Sequence, residues 1–262
     1  MSQNVPHCHI VEVVAFAHDL DPTLVSAKVV GSIFTPMCGI AGIYNSGTQA
    51  PVSPLVLKAM TDALVHRGPD AEGFYVSGEV GLGHRRLSII DLAAGHQPMT
   101  NEDGKVWVAF NGEIYNYLEL QQFLEAKGHR FKTHSDTEVI VHLYEEVGEE
   151  CFQKLRGMFA IAIWDGRQKK LILARDRVGK KPLYYHYDGS RVVFGSEIKA
   201  ILQVPAISRE IDLEALSDYF SFLYVPAPKS IFKNIRKVQP GHYVVVSPQG
   251  FRQSEYWDLS FA

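Results

Sequence analysis

Residues 37–44 read Met-Cys-Gly-Ile-Ala-Gly-Ile-Tyr, a thiol set directly after a methionine and ahead of a small, apolar run. A short run of this kind, bounded by turn residues, reads as a buried strand. The thiol gains a chemical meaning if Met37 is removed. Cys38 would then carry both a sulfur nucleophile and a free α-amine, whose reference pKa of ~7.7–8.0 lets it take the thiol proton near neutral pH. One residue would supply nucleophile and base. In the sequence as written, 36 residues precede Met37, so the Cys38 nitrogen is a peptide amide without a basic lone pair.

Those first 36 residues differ in character from the rest of the chain. They lack the positive n-region of a secretory signal, and the apolar stretch from Val11 to Ala17 is interrupted by Glu12. His7-Cys8-His9 is a lone tripeptide without a second ligand pair, so no metal site is expected from it. Residues 1–36 read as upstream sequence from a misplaced start, as a vector extension, or as a propeptide whose removal exposes Cys38. The rest of the 262-residue chain is long enough for one large domain or two small ones. A net charge of −3 with no basic stripe argues against nucleic acid as a partner. No run of about 18 apolar residues is present, so no membrane-spanning helix is expected. Three scattered cysteines, Cys8, Cys38 and Cys151, make neither a disulfide framework nor a CxxC zinc pattern, which points to a reducing cytoplasm.

From Met37 onward the signals are regular. Ser53-Pro54 opens a helix with Leu55, Val56, Ala59, Met60, Ala63 and Leu64 as its apolar face. Short strands are expected at 73–76, 80–82 and 86–90, separated by glycines, and another at 106–110, ending at the turn-prone Asn111-Gly112. Asn116 starts a helix stopped by Gly128, and Ser135 with Glu138 forms a capping box for the next, stopped by Gly148. Further strands are expected at 158–164, 170–175, 182–187, 191–195 and 243–246, with short helices capped at Ser196-Glu197 and Asp212. Strands in runs with helices outside them indicate an α+β layered domain rather than a parallel βαβ sheet.

Laid side by side, these stretches carry a series of motifs: MCGIAGI at 37–43, HRGPD at 66–70, LGHRRLSIIDL at 82–92, QPM at 97–99 and NGEIYNY at 111–117. The series continues with SDTEV at 135–139, GMFAIAIWD at 157–165, LARDRVGKKPLYY at 173–185 and SEIKA at 196–200. In this the chain resembles the glutaminase domain of the glutamine-hydrolysing asparagine synthetases, over essentially Met37 to Ala262. The resemblance implies a four-layer αββα sandwich, two antiparallel sheets between helices, of the N-terminal-nucleophile hydrolase type. It implies hydrolysis of the glutamine side-chain amide to glutamate and ammonia through a γ-glutamyl thioester.

Cys38 matches the family nucleophile, and Asn111 and Gly112 match its oxyanion hole. Arg86 matches the residue that grips the α-carboxylate of glutamine, with the backbone of Leu87, Ser88, Ile89 and Ile90 lining the pocket. Asp136, helped by Glu113, matches the side that holds the α-ammonium. On the residues alone, Asn111-Gly112 is equally an ordinary turn, Arg86 a surface strand residue and Asp136 part of a helix start. His66, Arg67 and Asp70 read as braces for the loops around the site, and Arg175, Asp176 and Arg177 as structural.

The resemblance divides the chain into an extension at 1–36, the amidotransferase domain at 37–224 and, at 225–262, its end with a connector. It also implies a synthetase domain, in the same polypeptide or a separate subunit, that would bind ATP, Mg2+ and aspartate. No Ser-Gly-Gly-x-Asp-Ser pyrophosphate loop occurs in this sequence, so no cofactor and no metal is expected here. Glutamine is the expected small-molecule partner, and a homodimer is left open. Two other readings compete. One is the glutaminase domain of another amidotransferase, such as one making glucosamine phosphate or phosphoribosylamine. The other is a non-catalytic docking domain whose α-amine stays capped by residues 1–36.

Overall fold

Two sheets buried on both faces account for the near-continuous apolar strands of this sequence. A computed structural model describes residues 37–87 and 95–260. The expectations placed on 1–36, and on Ser88, Ile89 and Ile90, lie outside the described residues. The chain begins with β1 (Gly39–Tyr44), α1 (Pro54–Asp62), β2 (Ala71–Ser77) and β3 (Val80–Arg86). Next come β4 (Met99–Thr100), β5 (Val106–Ile114), α2 (Tyr117–Ala126), α3 (Glu138–Val147) and α4 (Cys151–Lys154). Then come β6 (Gly157–Asp165), β7 (Lys170–Arg175), β8 (Tyr184–Tyr187), β9 (Val192–Gly195), α5 (Ile198–Ile201) and α6 (Leu213–Phe222). The last elements are β10 (Arg236–Lys237), β11 (His242–Ser247) and β12 (Gly250–Glu255).

The strands form two six-stranded antiparallel sheets, ordered β10-β8-β9-β1-β3-β2 and β12-β11-β7-β6-β5-β4. Period-two alternation sends each strand's side chains to opposite faces. Ile40 and Tyr44 of β1 meet Ala109 of β5, Ala160 and Ala162 of β6 and Leu171 and Leu173 of β7 in the layer between the sheets. The other face of β1, Ala41 and Ile43, packs on Leu57, Met60 and Leu64 and on Ala200 and Ile201 of α5. On the far side, Phe110, Phe159, Ile161 and Ile172 pack against Leu124 of α2 and Val139, Ile140 and Leu143 of α3. Each fully buried aliphatic or aromatic side chain stabilises this arrangement by about 1.5–3 kcal/mol. The result is the four-layer αββα sandwich that the family resemblance implies, within the α+β layering read from the strand and helix pattern.

Several local readings are corrected by the packing. The strands expected at 80–82 and 86–90 are one strand as far as Arg86, because Gly81 and Gly83 pair with Ile43 and Ala41 instead of turning. Gly83 lies against α1, where a Cβ would stand 2.5 Å from Thr61 Cγ2. Helix α1 begins at Pro54, but Leu57 faces the core while Leu55 is exposed, so the buried stripe sits one step round from the expected one. The Ser135–Glu138 box does not form. Glu138 turns back to accept from the backbone N–H groups of Lys132 and Thr133, at 2.8 Å each, and Ser135 Oγ accepts from Thr137 N. Asp212 does cap α6, accepting from Glu214 N and Ala215 N. Strand β5 runs straight through Asn111-Gly112 to Ile114, paired with β6 along its length. Gly112 is needed there for closeness rather than for a turn: a Cβ would lie 2.1 Å from Met158 O.

Candidate active site

Cys38 stands two residues ahead of Ile40, whose side chain enters the layer between the sheets. Its backbone carbonyl accepts from Arg67 Nε at 3.1 Å, and Arg67 is itself held by Glu197 at 3.0 Å. Ile40 N, just behind, donates to the buried Ser196 Oγ at 3.0 Å. The thiol sulfur accepts from Leu87 N at 3.4 Å, with Leu87 O at 3.8 Å. Cys38 is therefore tied through its own carbonyl and sulfur to elements later in the chain. Burial pushes the Cys38 thiol up from its usual value, against the Leu87 N–H and the charges of Arg86, Lys181 and Arg67, which pull it down. At neutral pH it rests protonated, so turning it into a nucleophile requires a base.

The end of β3 supplies Arg86, buried and close enough to act electrostatically on Cys38. His84, two residues earlier on the same face, places Nε2 3.1 Å from Phe110 O and so links the two sheets. Next along β5 is Asn111, on the same face as Ala109, with its side chain 1 % exposed. Its amide nitrogen has no hydrogen-bond partner among the described residues. Glu113 lies two residues on, exposed, and Ile114 N donates to Asp136 Oδ2 at 2.9 Å. The Asp136 carboxyl is raised, first by burial and also by the Glu113 charge, against the pull of the Ile114 N–H. Gln97 braces this corner, accepting from Phe110 N at 2.7 Å and donating to Thr137 Oγ1 at 3.3 Å. The sheets thus bring Cys38, Arg86, Leu87, Asn111, Gly112, Glu113 and Asp136 to one end of the sandwich.

Lys181 joins them without any signal in the sequence. It is buried, its Nζ lies 3.0 Å from Met37 Sδ, and it acts electrostatically on both Cys38 and Glu113. A lone lysine in a basic run carries no local mark of function; only the turn after β7 puts it here. That turn is built on Asp176, which accepts from Phe159 N, Val178 N, Lys180 N and Lys181 N at 2.8–3.2 Å. His84 is silent in the sequence for the same reason as Lys181.

Burial, with a smaller push from the Arg86 charge, holds His84 down at about 3, against the Phe110 carbonyl, from an ordinary 6.5. The unfolded chain therefore binds a proton between pH 6.5 and about 3 that the folded chain excludes. The stability His84 confers as a neutral donor is complete above pH 6.5 and is lost as the pH falls through that window. A drop from about pH 7 to about pH 5 should cost about 2 kcal/mol through this group. Urea midpoints at the two pH values check it: the His84→Gln variant should show a correspondingly shallower loss, and equal losses would refute the assignment.

The sequence profile of a family described as "Glutamine amidotransferase domain" matches residues 37–257. Asparagine synthetase [glutamine-hydrolyzing] 1 of Bacillus subtilis is 46% identical over 82% of this chain and 34% of its own length. Asparagine synthetase [glutamine-hydrolyzing] 3 of the same organism is 40% identical over 85% of this chain and 37% of its own. The chain spans about a third of the length of these relatives. Among solved structures, the glutamine phosphoribosylpyrophosphate amidotransferase of B. subtilis is 23% identical with a TM-score of 0.62, over 84% of this chain and 49% of that one. At that identity the likeness concerns the fold.

Proposed function

This chain belongs to the glutamine amidotransferase domain family, and from that premise we propose that it hydrolyses the glutamine side-chain amide through a thioester on Cys38. One observation carries the reading: the partly buried Cys38 thiol, held by the Leu87 N–H at 3.4 Å, and the buried amide of Asn111, whose Nδ2 has no hydrogen-bond partner among the described residues, lie at the same end of the inter-sheet layer. With Met37 gone, the Cys38 α-amine takes the thiol proton and the thiolate attacks the amide carbon. The oxyanion meets Asn111 Nδ2–H and the Gly112 N–H, donors of a kind whose single loss costs about 10²–10³ in turnover. Collapse of the intermediate expels ammonia with the proton the amine carried. Water then cleaves the thioester, releasing glutamate and restoring the thiol.

Free glutamine brings one carboxylate and one ammonium. Buried Arg86 suits the first, and Asp136 with Glu113 suits the second, with the backbone of 87–90 expected from the sequence alone to line the same pocket. The ties from Arg67 and Leu87 support a nucleophile that keeps its place when the residues ahead of it leave. The ammonia is proposed to pass to an ATP-activated aspartate in a synthetase domain outside this chain, where ATP and Mg2+ would bind. The relatives' greater length supports this, as does an exposed apolar end on α6 carrying Phe220, Phe222, Leu223 and Tyr224. No helix among the described residues is long and apolar enough to cross a membrane. Two free described cysteines, Cys38 and Cys151, fit a cytoplasmic location.

The decisive experiment compares the chain beginning at Cys38 with the chain retaining residues 1–37, each assayed for glutamate release. The short form should turn over and the long form should not. A short form that binds glutamine without turnover would replace the enzyme by a docking domain. In a polypeptide that includes the synthetase domain, release of glutamate without asparagine from aspartate and ATP would move the acceptor to another substrate.

A further inference from the structure

Away from Cys38, on the outer helical layer, four side chains from three separate segments converge. Glu102 comes from the β4–β5 hairpin, His129 from the α2–α3 connection, and His142 and Glu145 from one face of α3. One ligand atom from each lies within 4.8 Å of all the others. We propose that this cluster is a binding site for a divalent transition-metal ion of the Zn2+ type.

The argument rests on what each side chain does with its other polar atom. His129 turns Nε2 to Glu146 at 3.1 Å and leaves Nδ1 facing Glu102, 3.5 Å away. His142 turns Nε2 toward Glu138 at 3.6 Å and Nδ1 toward Glu102 and Glu145, at 3.3 and 3.8 Å. Glu145 Oε1 is taken by Asn101 at 2.7 Å and Arg167 at 2.8 Å, leaving Oε2 directed inward with no hydrogen bond among the described residues. The backbone N–H of Arg130 holds Glu102 Oε1 at 3.1 Å. His129, Glu145 and Glu102 are thus fixed from outside by hydrogen bonds and His142 by burial, and each offers one atom to a common centre. An imidazole with one nitrogen on the centre and the other on a carboxylate is the arrangement by which proteins orient metal-bound histidines.

His142 supplies the second, independent observation. It is fully buried, and neither ring nitrogen makes a hydrogen bond among the described residues. The Glu138 and Glu145 oxygens, at 3.6 and 3.8 Å, are too far for a hydrogen bond, and Glu102 Oε2, at 3.3 Å, stands off the direction an N–H would need. A cation between Nδ1 and the two inward oxygens resolves this, because a metal takes the lone pair where a donor has no aligned acceptor. Tetrahedral coordination at about 2.0–2.2 Å sets ligand atoms about 3.4 Å apart, close to the 3.3 and 3.8 Å from His142 Nδ1 to the inward Oε2 oxygens of Glu102 and Glu145. Two imidazoles with two carboxylates suit Zn2+ and its neighbours rather than Ca2+ or Mg2+. Four glutamates, Glu102, Glu138, Glu145 and Glu146, around two imidazoles add an electrostatic preference for a cation. The pattern has no linear spacing to find in the sequence, since its ligands meet only when the hairpin, the connection and α3 pack together. An ion there would fasten the connection that leads into Asp136.

The test uses the full chain, stripped with a chelator, dialysed, and loaded with Zn2+ or with Co2+ as an optical probe. One Zn2+ should stay bound per chain through gel filtration. Glu146→Gln, at a position outside the ligand set, should weaken binding about 10–100-fold. His129→Gln, which removes a ligand, should abolish stoichiometric retention. Bound Co2+ should give d–d bands without a thiolate charge-transfer band, which excludes Cys8 and Cys38 as ligands. Absence of retained metal in the unaltered chain would overturn the proposal. So would equal retention by Glu146→Gln, judged folded by circular dichroism, or a thiolate band that accounts for all the bound cobalt.

Discussion

Replacing Cys38 with alanine in the chain that begins at that residue should reduce glutamate release to background. The reason is chemical: the proposed route forms a covalent bond to the sulfur, and alanine leaves nothing for it to form on. The fold should survive. The side chain of Cys38 is only partly buried, and its contacts are with the backbone of Leu87, while the Arg67 tie runs to the carbonyl that alanine keeps. Glutamate release by enzyme-coupled assay, beside near-ultraviolet circular dichroism, separates the two statements. Retained turnover in a folded variant would remove Cys38 from the role of nucleophile. Serine is the stricter control, because its hydroxyl keeps the shape but is a far weaker nucleophile at the same position.

Replacing Asp176 with alanine should produce the largest loss of stability. Its buried carboxylate accepts four backbone N–H groups, and those of Phe159 and Lys181 are themselves within the core. Each buried donor left without an acceptor costs about 1–3 kcal/mol, so the variant should lose on the order of 4 kcal/mol or more. That is a large share of the roughly 5–15 kcal/mol typical of a domain, and it should lower the thermal midpoint by on the order of 10 °C. Asp176→Asn retains one acceptor oxygen and should lose less. Because the same turn carries Lys181 toward Cys38, the alanine variant should also lose glutaminase activity below its own unfolding temperature. A midpoint within about 2 °C of the unaltered chain would show that the turn is held by other means.

Much of the architecture is legible in the sequence, for identifiable reasons. Strands β1, β6 and β7 announce themselves as apolar runs because both sheets are covered on both faces. Helix α6 is legible from Asp212, whose cap is a local interaction. The local readings that fail are decided by partners far along the chain. Asn111-Gly112 favours a turn locally, but nine consecutive pairings with β6 hold β5 straight through it. Glu138 sits at the spacing of a capping box, yet the loop at 131–133 offers it two N–H groups and a hydroxyl. Strand β12 is invisible in the sequence because it is a polar edge strand, exposed at Arg252 and Gln253, with no apolar pattern to see. At the candidate site, Cys38, Arg86 and Asn111 can be named from their motifs. His84, Gln97 and Lys181 cannot, since a single titratable or amide residue acquires meaning only from what packs around it.

The amide of Asn111, without a hydrogen-bond partner among the described residues, sets folding against the proposed turnover. A buried donor left so weakens the resting protein by about 1–3 kcal/mol. An apolar side chain of similar size at that position would relieve the cost while removing the group proposed to meet the oxyanion. Mutational drift that preserved only a folded domain would therefore favour discarding the asparagine, whereas drift under demand for ammonia would not. In a copy of this domain released from chemistry but kept as a scaffold, position 111 is where the change of employment should leave its mark, with both sheets still in register.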